Sequence, residues 1–439
     1  MVANDETNLL GISGFRHDAT RGLILDPGMK GRNWESAQVL RFSGKSAART
    51  EMTPERWSMS ESPVRHDQRP GASIGAPCHD PLPCSSFCDR RQAVTSGTQL
   101  GLESEEGAGD PAWDDAVRAC AGSVFHSTSW ARYIIRQRPN TTPVRFRLLS
   151  DVDAPLGVAL GFLTRPTRRF LAPLTSQLWF DSLPAVSAPL TARFVELLEA
   201  SALNLGCLEL AFGSYAYRGG SEVLRTRGYT LTDRLEFELD LAPDEKDLWR
   251  AMEHKRRKNV NKSRAAGVVV EEMPPAGGLT ELYRLHEIGW VRIQRRGVAG
   301  SGGLEAARGD RPERELIEAG VGRLVGARLD REWVTVSLFT RFADQVYHLL
   351  SGHSPRALEV QAPTQLLWET ILRYRSEGVR WFNFGGCPAS AREPGSPQHG
   401  VMDYKRAFGG VCLECASGSR VIRPTRAAVA RALRRITSR

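Results

Sequence analysis

Two pieces of one stretch decide how this chain reads: Trp381-Phe382-Asn383-Phe384-Gly385-Gly386 and, after a Pro/Gly/Ser-rich segment, Asp403-Tyr404-Lys405-Arg406-Ala407-Phe408-Gly409-Gly410. The first reads as a buried strand over Trp381–Phe384 that stops at two glycines. With no Cβ in the way, backbone at Gly385 and Gly386 can approach a ligand closely. The second brings back a lysine set among aromatic residues. A fixed cation beside a glycine-ended strand can polarise a carbonyl, so the stretch reads as an acyl-transfer site.

The segment before it builds a mixed α/β unit. Pro243-Asp244 caps a helix running to about Ala266, followed by a strand at Val268–Glu272 and a helix at Leu279–Arg295. A mobile Gly-rich loop (297–303) and a short helix (Pro312–Ala319) come next. Three strands follow at Gly322–Leu329, Glu332–Thr340 and Gln345–Ser351, joined by tight turns at Asp330-Arg331 and Phe342–Asp344. A helix at Pro363–Glu377 leads into the Trp381 strand. An earlier unit shows the same order: helices at Trp113–Cys120 and after Ser127/Thr128, strands at Val144–Leu149 and Leu156–Leu163, a Pro-rich loop (166–173), a helix at Leu190–Leu203, a strand at Cys207–Ala211, a helix at Gly220–Arg227 and a strand at Leu235–Leu239. The expected organisation is thus two similar units, 109–242 and 243–422, with a basic helix at 423–439. Residues 1–108 sustain neither period 2 nor 3.6 and are expected to be disordered.

Composition narrows the partners. The chain has 439 residues and a net charge of +9. Residues 1–110 carry 12 Lys/Arg against 15 Asp/Glu, a net −3, which leaves +12 on the remainder. A basic body suits phosphates, CoA, sugar nucleotides, tRNA or an anionic membrane face. No run approaches the roughly 18 apolar residues of a membrane span. Met1–Leu10 carries Asp5 and Glu6 and no apolar signal core, so a cytoplasmic location is expected. Among eight cysteines, only Cys78, Cys84 and Cys88 cluster, beside His79, and their spacing is not that of a zinc site. No metal is expected. Cys412 and Cys415 read as buried thiols on a strand. The tail helix from Thr425 carries Val429, Leu433 and Ile436 as an apolar stripe, to lie on an anionic membrane or to pack on the second unit.

Several segments together carry a resemblance. Lys255-Arg256-Arg257-Lys258-Asn259-Val260-Asn261-Lys262-Ser263-Arg264-Ala265-Ala266-Gly267-Val268, Gln365-Leu366-Leu367-Trp368-Glu369-Thr370-Ile371, Phe382-Asn383-Phe384-Gly385-Gly386, Tyr404-Lys405-Arg406-Ala407-Phe408-Gly409 and the early Phe125-His126-Ser127-Thr128-Ser129-Trp130 resemble, in this order, the FemAB-type and BioF2-like acyltransferases of the GNAT superfamily. The resemblance covers about residues 110–422. It implies an α/β (α+β) fold of two tandem GNAT-like domains, with mixed central sheets flanked by helices. It also implies N-acyl transfer to an amine on an amino sugar or another cell-envelope or polysaccharide precursor; a place peripheral to the inner membrane face is suggested by the basic charge and the tail helix. The donor would be an acyl-CoA or, as alternative, an aminoacyl-tRNA. Asn383 stands where the family has Asp, and the usual pyrophosphate loop of GNAT enzymes is not visible. These departures keep open a different class, a non-catalytic basic module that binds RNA or polysaccharide on a degenerate GNAT scaffold.

Candidate roles follow. No Ser-His-Asp or Cys-His spacing stands out, so direct attack by the amine is expected. Lys405, with Tyr404 beside it, is the expected oxyanion stabiliser. His353, after Ser351-Gly352 at a strand end, could relay the amine's proton. Arg257, Lys258 and Asn261 on the basic helix could hold an anionic donor. Tyr347, Gln365, Asn383, Gly385, Gly386 and Ser129 are candidate substrate contacts. His286 reads as a core histidine.

Overall fold

The computed structural model describes residues 100–109, 111–150, 155–165, 175–294 and 311–437. The cysteine cluster at 78–88, the Pro-rich loop at 166–173 and the Gly-rich loop at 297–303 lie outside the described residues. In chain order the first half comprises β1 (Gly101–Glu106), α1 (Pro111–Ala119), a 3-10 turn (Val124–His126), α2 (Thr128–Gln137), β2 (Thr141–Leu149), β3 (Pro155–Thr164), β4 (Gln177–Phe180), β5 (Ala185–Val186), α3 (Ala188–Asn204), β6 (Glu209–Phe212) and α4 (Ser221–Thr226). The second half comprises β7 (Thr230–Asp240), α5 (Glu245–Ala251), α6 (His254–Ala265), β8 (Val269–Glu272), α7 (Pro275–Gln294), α8 (Glu313–Glu318), β9 (Gly322–Leu329), β10 (Glu332–Phe342), β11 (Gln345–His353), α9 (Pro355–Glu359), α10 (Ala362–Ser376), β12 (Trp381–Pro388), α11 (His399–Arg406), β13 (Val411–Val421) and α12 (Pro424–Thr437).

The architecture is the expected mixed sheet flanked by helices. The two halves share one sheet, in the order β1-β2-β3-β4-β6-β13-β7-β12-β11-β10-β9-β8. The joint is β13, which pairs antiparallel with β6 on one side and β7 on the other. One apolar core packs α5, α6 and α10 on the second half, around Trp368, Phe339 and Phe382. Another packs α3 on the first half, around Phe180, Phe194 and Phe212. A third draws Trp113, Phe125 and Trp130 from the first half against Leu282, Leu338 and Tyr347 from the second.

Four local expectations are corrected. Residues 101–106, expected to lack structure, form β1 against β2. Its Glu105 pairs with Arg145 at 2.7 Å, so the strand is held by charge and shows no apolar alternation. The single helix expected from Asp244 to Ala266 is two. Met252 and Glu253 turn extended between α5 and α6, and Arg257 Nη1 caps the end of α5 by donating to the carbonyls of Trp249, Arg250 and Met252 at 3.1, 2.9 and 2.8 Å. Those carbonyls are the acceptors a helix end leaves without partners. The strand from Trp381 does not stop at the glycines but runs on to Pro388. Residues 399–406, expected as part of a loose segment, form α11. On the tail helix Val429 is exposed while Ala427 and Ala430 are buried; the side chains of Leu433 and Ile436 lie outside the described residues. Cys415 is buried and Cys412 partly so.

Candidate active site

The site begins where two parallel strands part. β11 and β12 pair at Gln345↔Trp381, Val346↔Phe382 and Tyr347↔Asn383, and no further. At that level β11 carries a bulge: Leu350 opposes Leu338 and His348 opposes Phe339 on β10, leaving Leu349 without a counterpart. A bulge ends regular pairing and re-aims side chains. β12 breaks register with β7 at the same level, between Asn383 and Gly386. Gly385 there has φ +72, a conformation that favours glycine. At Gly386 a Cβ would collide with the Arg234 guanidinium and the Leu235 carbonyl. A Cβ at Gly385 would lie 3.5 Å from both Lys405 Nζ and Tyr347 Oη. The missing methyl therefore leaves a gap onto which an ammonium and a phenol converge.

Lys405 lies in the last turn of α11, is buried, and donates from Nζ to the Gly386 carbonyl at 3.0 Å. Burial brings its pKa down from 10.5 to about 8, with Arg234 acting the same way and Cys387 and Glu236 opposing. Tyr347 Oη donates to Glu236 Oε1 at 2.9 Å. Burial, reinforced by the Glu236 carboxylate, holds this phenol well above its ordinary range, so its hydroxyl keeps its proton.

Glu236 is the residue the sequence reading missed. It is 0% exposed and takes donors from four directions: Tyr347 Oη, Asn383 Nδ2 at 3.1 Å, the Tyr217 amide at 3.0 Å and Arg234 Nη1 at 3.2 Å. Arg234 in turn stacks on Tyr215 at 4.8 Å and reaches the Ser214 carbonyl at 3.3 Å. A buried carboxylate needs such saturation. This also explains Asn383. Its Oδ1 accepts the Gly385 amide at 2.7 Å while its Nδ2 donates to Glu236. An ionised Asp would do the first and oppose the second, so an amide is what this neighbour selects. The available signal was the alternation Arg234-Leu235-Glu236-Phe237-Glu238-Leu239, charges on one face of an otherwise apolar strand.

Beside this network runs a narrow crevice of ≈ 10 Å³, lined by Ser123, Phe125, Ala216, Glu238, Tyr347 and Asn383 among others. That is room for roughly one water. Arg218 Nη1 donates to Glu238 Oε1 at 2.7 Å and its Nη2 to Gln345 Oε1 at 3.1 Å. Burial raises the Glu238 carboxyl above its ordinary value, against the pull of Arg218. The other face of the fork carries His348, stacked on Phe339 at 4.8 Å. Burial, then Lys405 and His353, push its pKa down to about 3, so it is neutral.

Not all candidates gather here. Lys405, Tyr347, Asn383, Gly385 and Gly386 do. Tyr404 lies one residue from Lys405 but turns toward α6, under the Arg256 guanidinium at 4.7 Å and edge-on to Phe408 at 5.3 Å; it anchors α11. His353 is buried at the end of β11, with Nδ1 2.6 Å from Thr335 Oγ1. Gln365 donates to the Val268 carbonyl at 3.1 Å and to Glu369 at 2.9 Å, tying α10 to the start of β8. Ser129 is buried in α2, and the crevice is lined instead by Ser123 and Phe125 from the preceding turn. Arg257 caps α5, while Lys258 and Asn261 are exposed on α6. The buried face of α6 presents Arg256 and Asn259, the latter donating to Gln361 at 2.9 Å next to the start of α10. His286 is a core histidine, its pKa lowered by burial to about 4. Among the described residues no group of three or more His, Cys, Asp or Glu could hold a metal ion, and no helix is long and apolar enough to cross a membrane.

Residues 250–406 match the family model described as "Acetyltransferase (GNAT) domain". Among solved structures the chain is similar to FemX, at 13% identity and TM-score 0.59, over 73% of this chain and 98% of that one. It is also similar to L-PGS from Bacillus licheniformis (14% identity, TM-score 0.45, 73% and 96% of the two chains) and to a tandem GNAT protein from the clavulanic acid biosynthesis pathway (13%, 0.43, 74% and 99%). No curated protein matches the chain.

Proposed function

We propose that this chain, which carries a GNAT acyltransferase domain on the fold of FemX, transfers an acyl or aminoacyl group from an activated donor to an amine. The observation that carries the reading is the convergence of Lys405 Nζ and Tyr347 Oη on the space above Gly385, at the point where β11 and β12 part. A carbonyl carbon placed there puts its oxygen beside the Lys405 ammonium, which stabilises the negative charge that develops on attack. Tyr347 spends its proton on Glu236, so its oxygen is left to accept an N–H from the incoming amine. The amine adds to the carbonyl, and collapse of the tetrahedral oxyanion then breaks the bond to the donor's sulfur or oxygen while the N–H proton leaves through solvent; no acyl-enzyme forms.

The donor would be anionic. The basic α6 and the start of α10, with Arg256 between them and Tyr404, suit the phosphates of an acyl-CoA or of an aminoacyl-tRNA. The acceptor class, an amino sugar or another envelope or polysaccharide precursor, comes from the sequence resemblance. The buried Glu236 carboxylate beside Asn383, paired with its amide, supports the catalytic reading over a non-catalytic basic module.

The test uses the full chain with radiolabelled acetyl-CoA and, separately, a pool of aminoacyl-tRNA, against glycinamide, glucosamine and hydroxylamine. Transfer from one donor is expected, falling by roughly 10²–10³ in Lys405→Met. No transfer from either donor, or an undiminished rate in the variant, defeats the reading.

A further inference from the structure

Acyl transfer to an amine needs a proton acceptor, and neither Lys405 nor Tyr347 can be one while each serves as a donor. Three side chains stand in one row on one face of the sheet. Tyr347 opposes Asn383 across β11 and β12, and Asn383 opposes Glu238 across β12 and β7. Residues directly opposite project to the same side. Glu238 lines the crevice together with Tyr347 and Asn383, and its side chain is 11% exposed. Glu236, two residues away on the same strand, is saturated by four donors. Glu238 is held from one side, by Arg218.

We propose that Glu238 is the general base that takes the proton from the attacking amine, with Arg218 as the positioning residue that holds its carboxylate at the crevice. This rests on the acyl-transfer reading above. The acceptor arrives as an ammonium and passes one proton to a Glu238 oxygen, which leaves a neutral amine to attack. When the tetrahedral oxyanion collapses, the bond to the donor's sulfur or oxygen breaks, and the N–H proton of the new C–N centre passes through solvent to the departing group. Burial raises the carboxyl toward the range a base needs, Arg218 lowers it, and Glu236 and Asp344 raise it further; Gln345 and Asn383 face it uncharged. Such a base suits a weakly basic amine. An α-amino group titrates roughly 2.5 units below a lysine side chain, so its proton is given up that much more easily. The acceptor class is therefore an α-amine or amino sugar, not a lysine side chain.

The experiment compares the full-length wild type, Glu238→Gln and Arg218→Ala, using whichever of acetyl-CoA or the aminoacyl-tRNA pool the wild type accepts. Rates are measured against pH with glycinamide, and with hydroxylamine, which is already neutral at pH 7. Glu238→Gln is expected to slow transfer to glycinamide by roughly 10²-fold or more and to move the acid limb of its pH profile up to the amine's own titration at about 8, with transfer to hydroxylamine little changed. Arg218→Ala is expected to move the acid limb to higher pH with the plateau retained, because the carboxyl then holds its proton longer. If Glu238→Gln slows both amines equally, or neither, the assignment is overturned while the role of Lys405 stands. If the wild type acylates neither amine from either donor, the acyl-transfer reading has failed and the base falls with it. Should Glu238→Gln not fold, the limb shift in Arg218→Ala decides: a shift supports the base, an unmoved limb overturns it.

Discussion

The substitution Asn383→Asp changes one atom's identity in the buried network and should produce a stability deficit that depends on pH. Asn383 Nδ2 lies 3.1 Å from Glu236 Oε2, with the two residues 4% and 0% exposed. An ionised aspartate in that place would put two carboxylates at that separation. At an effective dielectric of about 20 the repulsion is roughly 5 kcal/mol, besides the lost charge-assisted hydrogen bond of about 1.5–3 kcal/mol. The pair has a cheaper course, which is to share one proton. In its protonated form the new side chain would donate to Glu236 and still accept the Gly385 amide. Holding that proton at pH 7 against an unfolded pKa near 3.9 costs about 4 kcal/mol, at about 1.36 kcal/mol per unit. This caps the penalty. The folded pKa is raised above the unfolded one, so the variant's relative stability is full below about pH 4 and is lost as pH rises, by about 1.4 kcal/mol per unit. The deficit should be about 4 kcal/mol at pH 7 and about 1.5 at pH 5. Urea denaturation of the full-length wild type and variant, side by side at both pH values, measures it, and the wild type's own pH dependence cancels in the difference. A deficit that does not change between the two pH values, or one below about 1 kcal/mol at pH 7, would refute the account of why an amide stands there.

With Lys405 as the charged donor, turnover should fall as pH rises through about 8, where its ammonium loses its proton; a rate that stays flat to pH 10 speaks against it. Gly385→Ala should cost roughly 1–2 kcal/mol for a left-handed backbone and nearly abolish turnover, because its methyl would fill the space at 3.5 Å from Lys405 Nζ and Tyr347 Oη; a folded variant with normal turnover would remove that gap from the mechanism. Acid should destabilise the fold. His126 and His286, lowered by burial to about 4, and His348, to about 3, stay neutral when folded but bind protons when unfolded. Stability is thus present above about pH 6.5 and is lost toward pH 4, while Asp181, pushed up by burial to about 6, offsets part of it. A urea midpoint constant across that window would contradict this.

Much of the site's chemistry could be read locally. Lys405 beside aromatics, Gly385 and Gly386 at the end of an apolar strand, Tyr347 and Asn383 were all nameable because each marks its neighbourhood by residue type. Strand bounds such as Gly322–Leu329 followed from alternation and from turn residues at Asp330 and Ala343, both with positive φ. Local reading misled where a residue's partner is distant. Arg257 looked like an anion grip and is a helix cap. Gln365 looked like a pocket group and is a tie between α10 and β8. The glycines looked like a strand end, yet β12 continues because β7 pairs with it on both sides of the irregularity.

The chain's sequence by itself determined the element order, the motifs along β11, β12 and α11, and through them the acyltransferase resemblance. Periodicity and residue chemistry act over a few neighbours, and both survive in one dimension. Only the tertiary structure decided that β7 lies between β12 and β13, which sets Glu236 147 residues away in sequence from the Asn383 it pairs with. A charged residue in a strand has no fixed meaning until the strand's neighbours are known. In water Arg234, Glu236 and Glu238 would be an ordinary solvated face. Buried, they must be paired, and that necessity selected the amide at 383, seated Tyr347 over Gly385 and left Glu238 lining the crevice.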